Sequence, residues 1–181
     1  RSQRSFSALG CIRFLSLSPV LSYDLQMKPD RLTLLRDLVA FDTTSRHSNL
    51  ALIDYVQDYL TGLGVDSELV FDETGSKANL YATIGPDNIG GVMLSGHTDV
   101  VPIDGQNWHS DPFTLTEKDA LYFGRGTADM KGFIACVLAE VPRMTSLALK
   151  SPVHIALSYD EEVGCLGVRR LIETLSGAPV L

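Results

Sequence analysis

The stretch GGVMLSGHTDVVP, residues 90–102, carries an apolar run that ends in a histidine and an aspartate two positions apart. The run predicts a buried β-strand. In an extended chain the side chains at i and i+2 project to the same side, so Asp99 can accept a hydrogen bond from one nitrogen of His97 while the other nitrogen faces outward. Metal-ligating histidines have this arrangement. A core histidine satisfied by a nearby acid fits the pair equally well.

Helix-like and strand-like segments alternate on both sides of this stretch. Helices are predicted after Asp30, which can cap the first of them, and from about Ser48 to the GLG at 62–64, over 131–144 and over 167–175. Strands are predicted over 67–73, 79–85, 90–96 and 152–159, with a short hairpin over 113–124. Helices interleaved with apolar strands predict a layered α/β domain with a mostly parallel or mixed sheet.

Composition narrows the class of protein. The chain has 181 residues, 45% of them hydrophobic and 20% charged, which suits one globular domain or a large piece of one. A net charge of -7 without a basic stripe argues against a nucleic-acid partner. The apolar runs are shorter than the roughly 18 residues of a membrane span, so no membrane partner is expected. Three cysteines without CxxC spacing indicate neither a disulfide framework nor a thiolate zinc site.

Residues 1–26 differ from the rest of the chain. They are rich in arginine and serine and do not begin with methionine, whereas Met27 would be a natural start. The segment is therefore interpreted as a transit-like leader or as translated upstream sequence. A cytoplasmic location is expected, with the mitochondrion or a plastid as the alternative if the segment is a transit peptide.

Acidic residues follow two other predicted elements. Asp129 lies in GRGTADMKGF, residues 124–133, and Glu161 and Glu162 follow the strand HIALSY. In open α/β sheets, ligands bind beyond the carboxyl ends of the strands, where such loops converge. Taken singly, Asp129 could be a helix N-cap and the two glutamates a solvated acidic loop. In an extended chain the adjacent glutamates would diverge, so that one could bind a metal while the other faced an attached water.

One histidine with several carboxylates suits a divalent cation such as zinc, manganese or cobalt. A carboxylate-rich site can also hold two ions about 3.5 to 4 Å apart. The chemistry that such a site implies is metal-assisted hydrolysis, in which a neighbouring carboxylate takes the proton of the attacking water.

Four segments together resemble a known family. SGHTDVVP (95–102), DPFTLTE (111–117), GRGTADMKGF (124–133) and SYDEEVGCLG (158–167) occur in an order and with gaps similar to those of the di-zinc amidohydrolases that include acetylornithine deacetylase, succinyl-diaminopimelate desuccinylase and carboxypeptidases. The resemblance covers nearly all of residues 27–181. It implies the N-terminal part of a zinc-exopeptidase-like catalytic domain, layered α/β/α around a mixed central sheet and incomplete at the C-terminus.

The resemblance also implies roles for individual residues. His97 would bind one zinc ion, Asp129 would bridge two, and Glu162 would bind the other. Asp99 would orient the ring of His97. Glu161 would be the general base that activates the bridging water and returns its proton to the leaving amine.

Within the family, NLYATIG, DPFTLTE and the phenylalanine of ADMKGF resemble acetylornithine deacetylases more than desuccinylases. The implied reaction converts N2-acetyl-L-ornithine to L-ornithine and acetate in arginine biosynthesis. The alternatives are a desuccinylase, aminoacylase or carboxypeptidase of the same family, or a non-catalytic remnant that serves as a binding module.

Family members carry a further acidic ligand, a histidine ligand and an inserted dimerisation domain downstream. The chain is therefore expected to be an inactive fragment of a protein that forms a homodimer at full length.

The remaining histidines and the basic residues carry weaker signals. His47 and His109 lie in polar stretches and are expected in solvent, whereas His154 alternates along a strand and is expected to pack. Lys131 could meet a substrate carboxylate or balance an acidic surface. Cys136 lies among apolar residues and is expected in the core.

Overall fold

The computed structural model describes residues 29–175. The proposed leader, residues 1–26, lies outside this range. The elements, in chain order, are α1 (Arg31–Ala40), α2 (Leu50–Gly62), β1 (Ser67–Phe71), β2 (Ala78–Ile84), β3 (Val92–His97), β4 (Thr116–Lys118), β5 (Leu121–Phe123), α3 (Lys131–Ser146), β6 (Val153–Ser158) and α4 (Leu166–Leu175). Each predicted helix and strand is present, with ends that move by a few residues.

Local sequence explains where several of these elements begin and turn. The side chain of Asp30 accepts a hydrogen bond from the backbone N–H of Thr33 at 2.8 Å and caps α1, as predicted. The hairpin of β4 and β5 turns through Asp119 and Ala120, whose φ angles are 53° and 59°. Two successive positive φ angles are typical of the two-residue turn that matches the twist of antiparallel strands.

Four strands form a mixed sheet in the order β1-β2-β6-β3. β1 pairs with β2 and β2 with β6 in antiparallel fashion, whereas β3 and β6 are parallel. The sheet is therefore mixed, as predicted. Although β2 and β3 are consecutive in the chain, β6 lies between them. The carboxyl ends of β3 and β6 consequently lie side by side, with His97 paired to Ser158.

The helices lie on both faces of the sheet. Ala78, Leu80 and Ala82 of β2 belong to one hydrophobic core with residues of α1, α2 and α3. Asn79 lies between two of these positions and therefore points to the opposite face. There its amide donates to the carbonyl of Gly167 in α4 at 2.9 Å. The layered α/β/α prediction is thus confirmed.

Close packing of α4 on β6 depends on a glycine. A Cβ atom at Gly167 would lie 2.2 Å from the carbonyl oxygen of Tyr159 and 2.8 Å from its ring. Gly62, which is also helical, offers a contrast because a Cβ atom there would have nothing within 4 Å.

Substituting Gly167→Ala is expected to lower the free energy of unfolding by about 1–3 kcal/mol, because the added methyl group must push α4 away from the strand. Gly62→Ala should instead leave stability unchanged or raise it by up to about 1 kcal/mol, since alanine loses less backbone entropy in a helix. Urea denaturation followed by circular dichroism measures both. Equal midpoints for the two variants would contradict the close packing described here.

Candidate metal centre

The predicted ligands gather at one edge of the sheet. His97 is the last residue of β3, and Glu161 and Glu162 follow the adjacent strand β6 by a short loop. Asp129 precedes α3 by two residues. Because β3 and β6 are parallel neighbours, their carboxyl ends bring the histidine and the two glutamates to one place.

The ring of His97 is held by one nitrogen and presents the other to acids. Its Nδ1 donates to the backbone carbonyl oxygen of Asp99 at 3.0 Å and lies 3.5 Å from the carboxylate of the same residue. Its Nε2 lies 3.0 Å from Oδ1 of Asp129 and 3.9 Å from Oε2 of Glu161. The imidazole is only 6% exposed, so its orientation is fixed.

The acids around His97 control its protonation. Burial by itself lowers the pKa of the imidazole, but hydrogen bonds to Asp99 and Asp129 outweigh burial and raise the pKa to about 9. Without a cation, the ring is therefore protonated near neutral pH and balances part of the negative charge around it.

Three ligand atoms converge closely enough to bind one cation. One ring nitrogen of His97 and one carboxylate oxygen each from Glu161 and Glu162 all lie within 4.8 Å of one another. Asp129 contacts the histidine but is not a member of this cluster of three, and its side chain is 75% exposed. The structure thus brings His97 to the four predicted acids, which are Asp99, Asp129, Glu161 and Glu162.

The two glutamates do not diverge as an extended chain would require. Asp160 has a φ of 54°, in the left-handed region, and the chain turns immediately after β6. The backbone N–H groups of Gly164 and Cys165 then donate to the carbonyl of Glu161 at 3.0 and 2.9 Å. The expectation of divergence was wrong because it assumed a strand where the sequence forms a tight turn.

Crowding of carboxylates in this turn also changes the acidity of Glu162. Burial raises its pKa, and the negative charges of Asp129, Asp99 and Glu161 raise it further, against the opposing effect of His97. A divalent cation bound here would neutralise the negative charge of these carboxylates, which repel one another without a counterion.

Asp99 makes more contacts than its predicted role required. Its Oδ1 accepts from the backbone N–H of Glu161 at 3.0 Å. Its Oδ2 accepts from the N–H of Glu162 at 3.2 Å and from the hydroxyl of Ser45 at 2.7 Å. Burial would raise the pKa of this carboxyl, but its hydrogen bonds keep the pKa low. One buried residue therefore contacts the histidine through its backbone carbonyl and the glutamate pair through its carboxylate.

Asp129 does not cap the following helix. The N-cap of α3 is Met130, which makes no side-chain capping hydrogen bond, while the carboxylate of Asp129 faces the ring of His97. The N-cap alternative is therefore wrong for this residue.

The segment FDTTS, residues 41–45, supports the centre although no role was predicted for it. The backbone N–H of Val100 donates to the carbonyl of Thr43, and that of Ser45 to the carbonyl of Val100, both at 3.1 Å. The hydroxyl of Thr43 donates to the carbonyl of Thr98 at 2.6 Å. The run of three hydroxyl residues after an apolar helix was the sequence feature that could have indicated this role. It was not specific, because hydroxyl groups at a helix end have many possible hydrogen-bond partners.

The weaker predictions have mixed outcomes. His47 and His109 are exposed, and His154 is buried with its Nδ1 2.7 Å from the hydroxyl of Tyr81. Cys136 is exposed rather than in the core.

Lys131 lies in the interior and not on the acidic surface. It is fully buried and donates to the carbonyl of Phe41 at 2.7 Å. Burial lowers its pKa to about 8 against the attraction of Asp42.

Within residues 29–175, no helix is both long and apolar enough to traverse a bilayer.

Comparison with known proteins defines the class. Residues 93–180 match the model of "Peptidase family M20/M25/M40". In fold, the chain is similar to human carnosine dipeptidase 1, with a TM-score of 0.69 and 26% identity over 80% of this chain and 35% of that one. It is also similar to an M20 family metallo-carboxypeptidase from Sulfolobus solfataricus, with a TM-score of 0.72 and 21% identity over 82% of this chain and 35% of that one. The fold of the chain is therefore similar to that of these two peptidases.

Curated relatives agree with this class. An acetylornithine deacetylase from Pasteurella multocida is 43% identical over 127 residues, which are 70% of this chain and 33% of the relative. One from Shigella sonnei is 42% identical over 133 residues, 73% of this chain and 34% of the relative. The match to the family model and the identity to these relatives agree with the resemblance that the four segments indicate. It spans about a third of the length of these relatives.

Proposed function

We propose that the chain forms part of a metal-dependent amide hydrolase that converts N2-acetyl-L-ornithine to L-ornithine and acetate. The observation that carries the proposal is the cluster of His97, Glu161 and Glu162, whose ligand atoms lie within 4.8 Å of one another. The substrate rests on the curated relatives, which are acetylornithine deacetylases.

The residues fit a divalent cation. One nitrogen of His97 is anchored to Asp99, which leaves the other directed at the acids, as in metal-ligating histidines. One imidazole and several carboxylates, without a thiolate among them, suit zinc and also admit cobalt or manganese. The resemblance supports His97, Asp129 and Glu162 as the ligands in a site for two zinc ions, with Glu161, the third member of the cluster, kept for proton transfer.

When bound, the cation would supply electrophilic activation of the amide carbonyl and an acidified water. The protein contributes position and proton transfer. Glu161, 44% exposed and 3.9 Å from Nε2 of His97, lies where its carboxylate can take a proton from an attacking water and return it to the leaving amine. Asp99 holds the imidazole by Nδ1 and holds the Glu161 loop by its backbone N–H.

A second set of amide substrates is the runner-up. Human carnosine dipeptidase 1 is 26% identical to the chain, and the metallo-carboxypeptidase shares its fold. An aminoacylase, desuccinylase or carboxypeptidase would use the same centre, and a non-catalytic binding module would retain it without turnover. The family resemblance further supports a homodimer at full length, a small N-acyl amino acid as the partner, and a cytoplasmic location.

Metal binding is tested by titrating the purified protein with Co²⁺, whose visible absorption reports coordination by protein ligands. We expect new absorption bands that saturate with added metal and disappear when Zn²⁺ is added in excess. A wild-type protein that shows no such bands would contradict the proposal.

The substrate is tested by following release of the free amine from N2-acetyl-L-ornithine, N-succinyl-diaminopimelate, dipeptides and acyl amino acids, in the presence of Zn²⁺. The complete protein is expected to prefer N2-acetyl-L-ornithine, and the 181-residue chain alone is expected to turn over none of them. A preference for another substrate would favour the runner-up, and metal binding without any turnover by the complete protein would favour the binding module.

A further inference from the structure

Lys77, the residue before β2, contacts the loop that carries the two glutamates. Its ammonium group donates to Oδ1 of Asp160 at 2.5 Å and to the backbone carbonyl of Ser45 at 2.5 Å. The side chains of Lys77 and Asp160 are each only 15% exposed. The pair is therefore better shielded from water than a surface ion pair, which contributes little to stability.

These contacts close a ring of interactions behind the metal centre. The hydroxyl of Ser45 donates to Oδ2 of Asp99 at 2.7 Å. Oδ1 of Asp99 accepts from the backbone N–H of Glu161 at 3.0 Å, and Glu161 follows Asp160 directly in the chain. Lys77 thus joins Ser45 to Asp160, the residue directly before Glu161. Among the described residues, Lys77 makes no hydrogen bond or ion pair with His97, Glu161 or Glu162.

The backbone at Asp160 needs such support. Its φ of 54° lies in the left-handed region, which is unfavourable for a residue other than glycine, although aspartate and asparagine tolerate it better than most. This conformation directs the N–H groups of Glu161 and Glu162 at the carboxylate of Asp99. Without the ammonium group, the carboxylate of Asp160 would lose its ion-pair partner at a position directly before two further carboxylates in the chain.

We propose that Lys77 is a positioning residue for the Glu161–Glu162 pair. Its ion pair with Asp160 and its hydrogen bond to Ser45 hold the conformation of the turn after β6. That conformation sets the positions of the two carboxylates that face the cation. The role in metal binding rests on the proposed function. The effect on the turn itself does not, because protein atoms alone make these contacts.

The test compares Lys77→Met, which keeps the length of the side chain but removes its charge, with Lys77→Arg, which keeps the charge. Lys150→Met is the matched control, since Lys150 is exposed. Amide hydrogen exchange by NMR on the metal-free protein reports the turn, and Co²⁺ titration with visible spectra reports the centre.

In Lys77→Met we expect exchange at the N–H groups of Glu161 and Glu162 to accelerate at least about tenfold, while core amides such as that of Leu80 remain protected. The Co²⁺ affinity should fall about tenfold or more, as for other residues that orient metal ligands, and the Co²⁺ absorption bands should shift. Lys77→Arg should recover most of both properties, and Lys150→Met should match the wild type.

Unchanged exchange at both glutamate amides in Lys77→Met would overturn the proposal, as would faster exchange spread equally over the core. If Lys77→Met does not fold, Asp160→Asn decides, because asparagine accepts the left-handed conformation but removes the ion pair. Selective loss of protection in that variant supports the proposal, and full protection refutes it. A wild-type protein that binds no Co²⁺ would contradict the proposed function, while the exchange measurements would still judge the role of Lys77 in the turn.

Discussion

Replacement of Asp99 by alanine is expected to lower the free energy of unfolding by about 3–5 kcal/mol, which is the typical cost of removing one partner of a buried charge pair. Asp99 is 2% exposed and accepts hydrogen bonds from Ser45 and from the N–H groups of Glu161 and Glu162. The substitution would leave these three donors without their carboxylate acceptor and would remove the buried negative charge that lies 3.5 Å from the ring of His97. The measurement is urea denaturation of the metal-free protein at pH 7.

The same variant is expected to lose at least about tenfold to a hundredfold in Co²⁺ affinity, because the residue that orients the ligands is gone. Asp104→Ala is the matched control, since Asp104 lies five residues further along the chain in an exposed pair with Arg46. It should change neither stability nor metal affinity appreciably. If Asp99→Ala and Asp104→Ala behave alike, Asp99 does not organise the centre.

Replacement of His97 by alanine is expected to reduce Co²⁺ affinity about a hundredfold to a thousandfold, because the cluster loses its single nitrogen ligand. In the wild type, a metal must displace the proton of an imidazole whose pKa is raised to about 9. The apparent association constant should therefore fall about tenfold for each pH unit below that value, or about a hundredfold between pH 8 and pH 6.

Isothermal titration at several pH values measures both the affinity and this slope. In His97→Ala the part of the slope due to the imidazole should vanish, while protonation of the carboxylates remains. His109→Ala, which removes an exposed histidine, should keep the wild-type affinity and slope. A wild-type affinity independent of pH between 6 and 8 would show that His97 is not a ligand.

Much of the fold follows from local sequence. Asp30 caps α1 as predicted, and the apolar run before His97 forms β3. The order of the strands does not follow from such patterns. β6 inserts between β2 and β3 through contacts between residues far apart in the chain, and a single sequence shows only which segments are apolar.

The contacts of the candidate site were predictable only in part. His97 and Asp99 lie together, as an i, i+2 relation at the end of a strand predicts, but the ring donates to the backbone carbonyl of Asp99 rather than to its carboxylate. The turn at Asp160 was not predicted because an aspartate in the sequence, unlike a glycine, does not indicate a positive φ angle. Ser45 and Lys77 were missed because their partners are 54 and 83 positions away in the chain.

The parallel pairing of β3 and β6 affects how the centre would bind a cation. Six successive residues of β3 are in register with β6, up to His97 opposite Ser158. Neighbouring strands lie about 4.8 Å apart, and this spacing is a property of the hydrogen-bonded ladder rather than of any loop. The imidazole and the start of the glutamate turn are thus assembled in advance. Cation capture should entail little conformational entropy loss, and selection among zinc, cobalt and manganese would rest on donor chemistry and on which ion the surroundings supply.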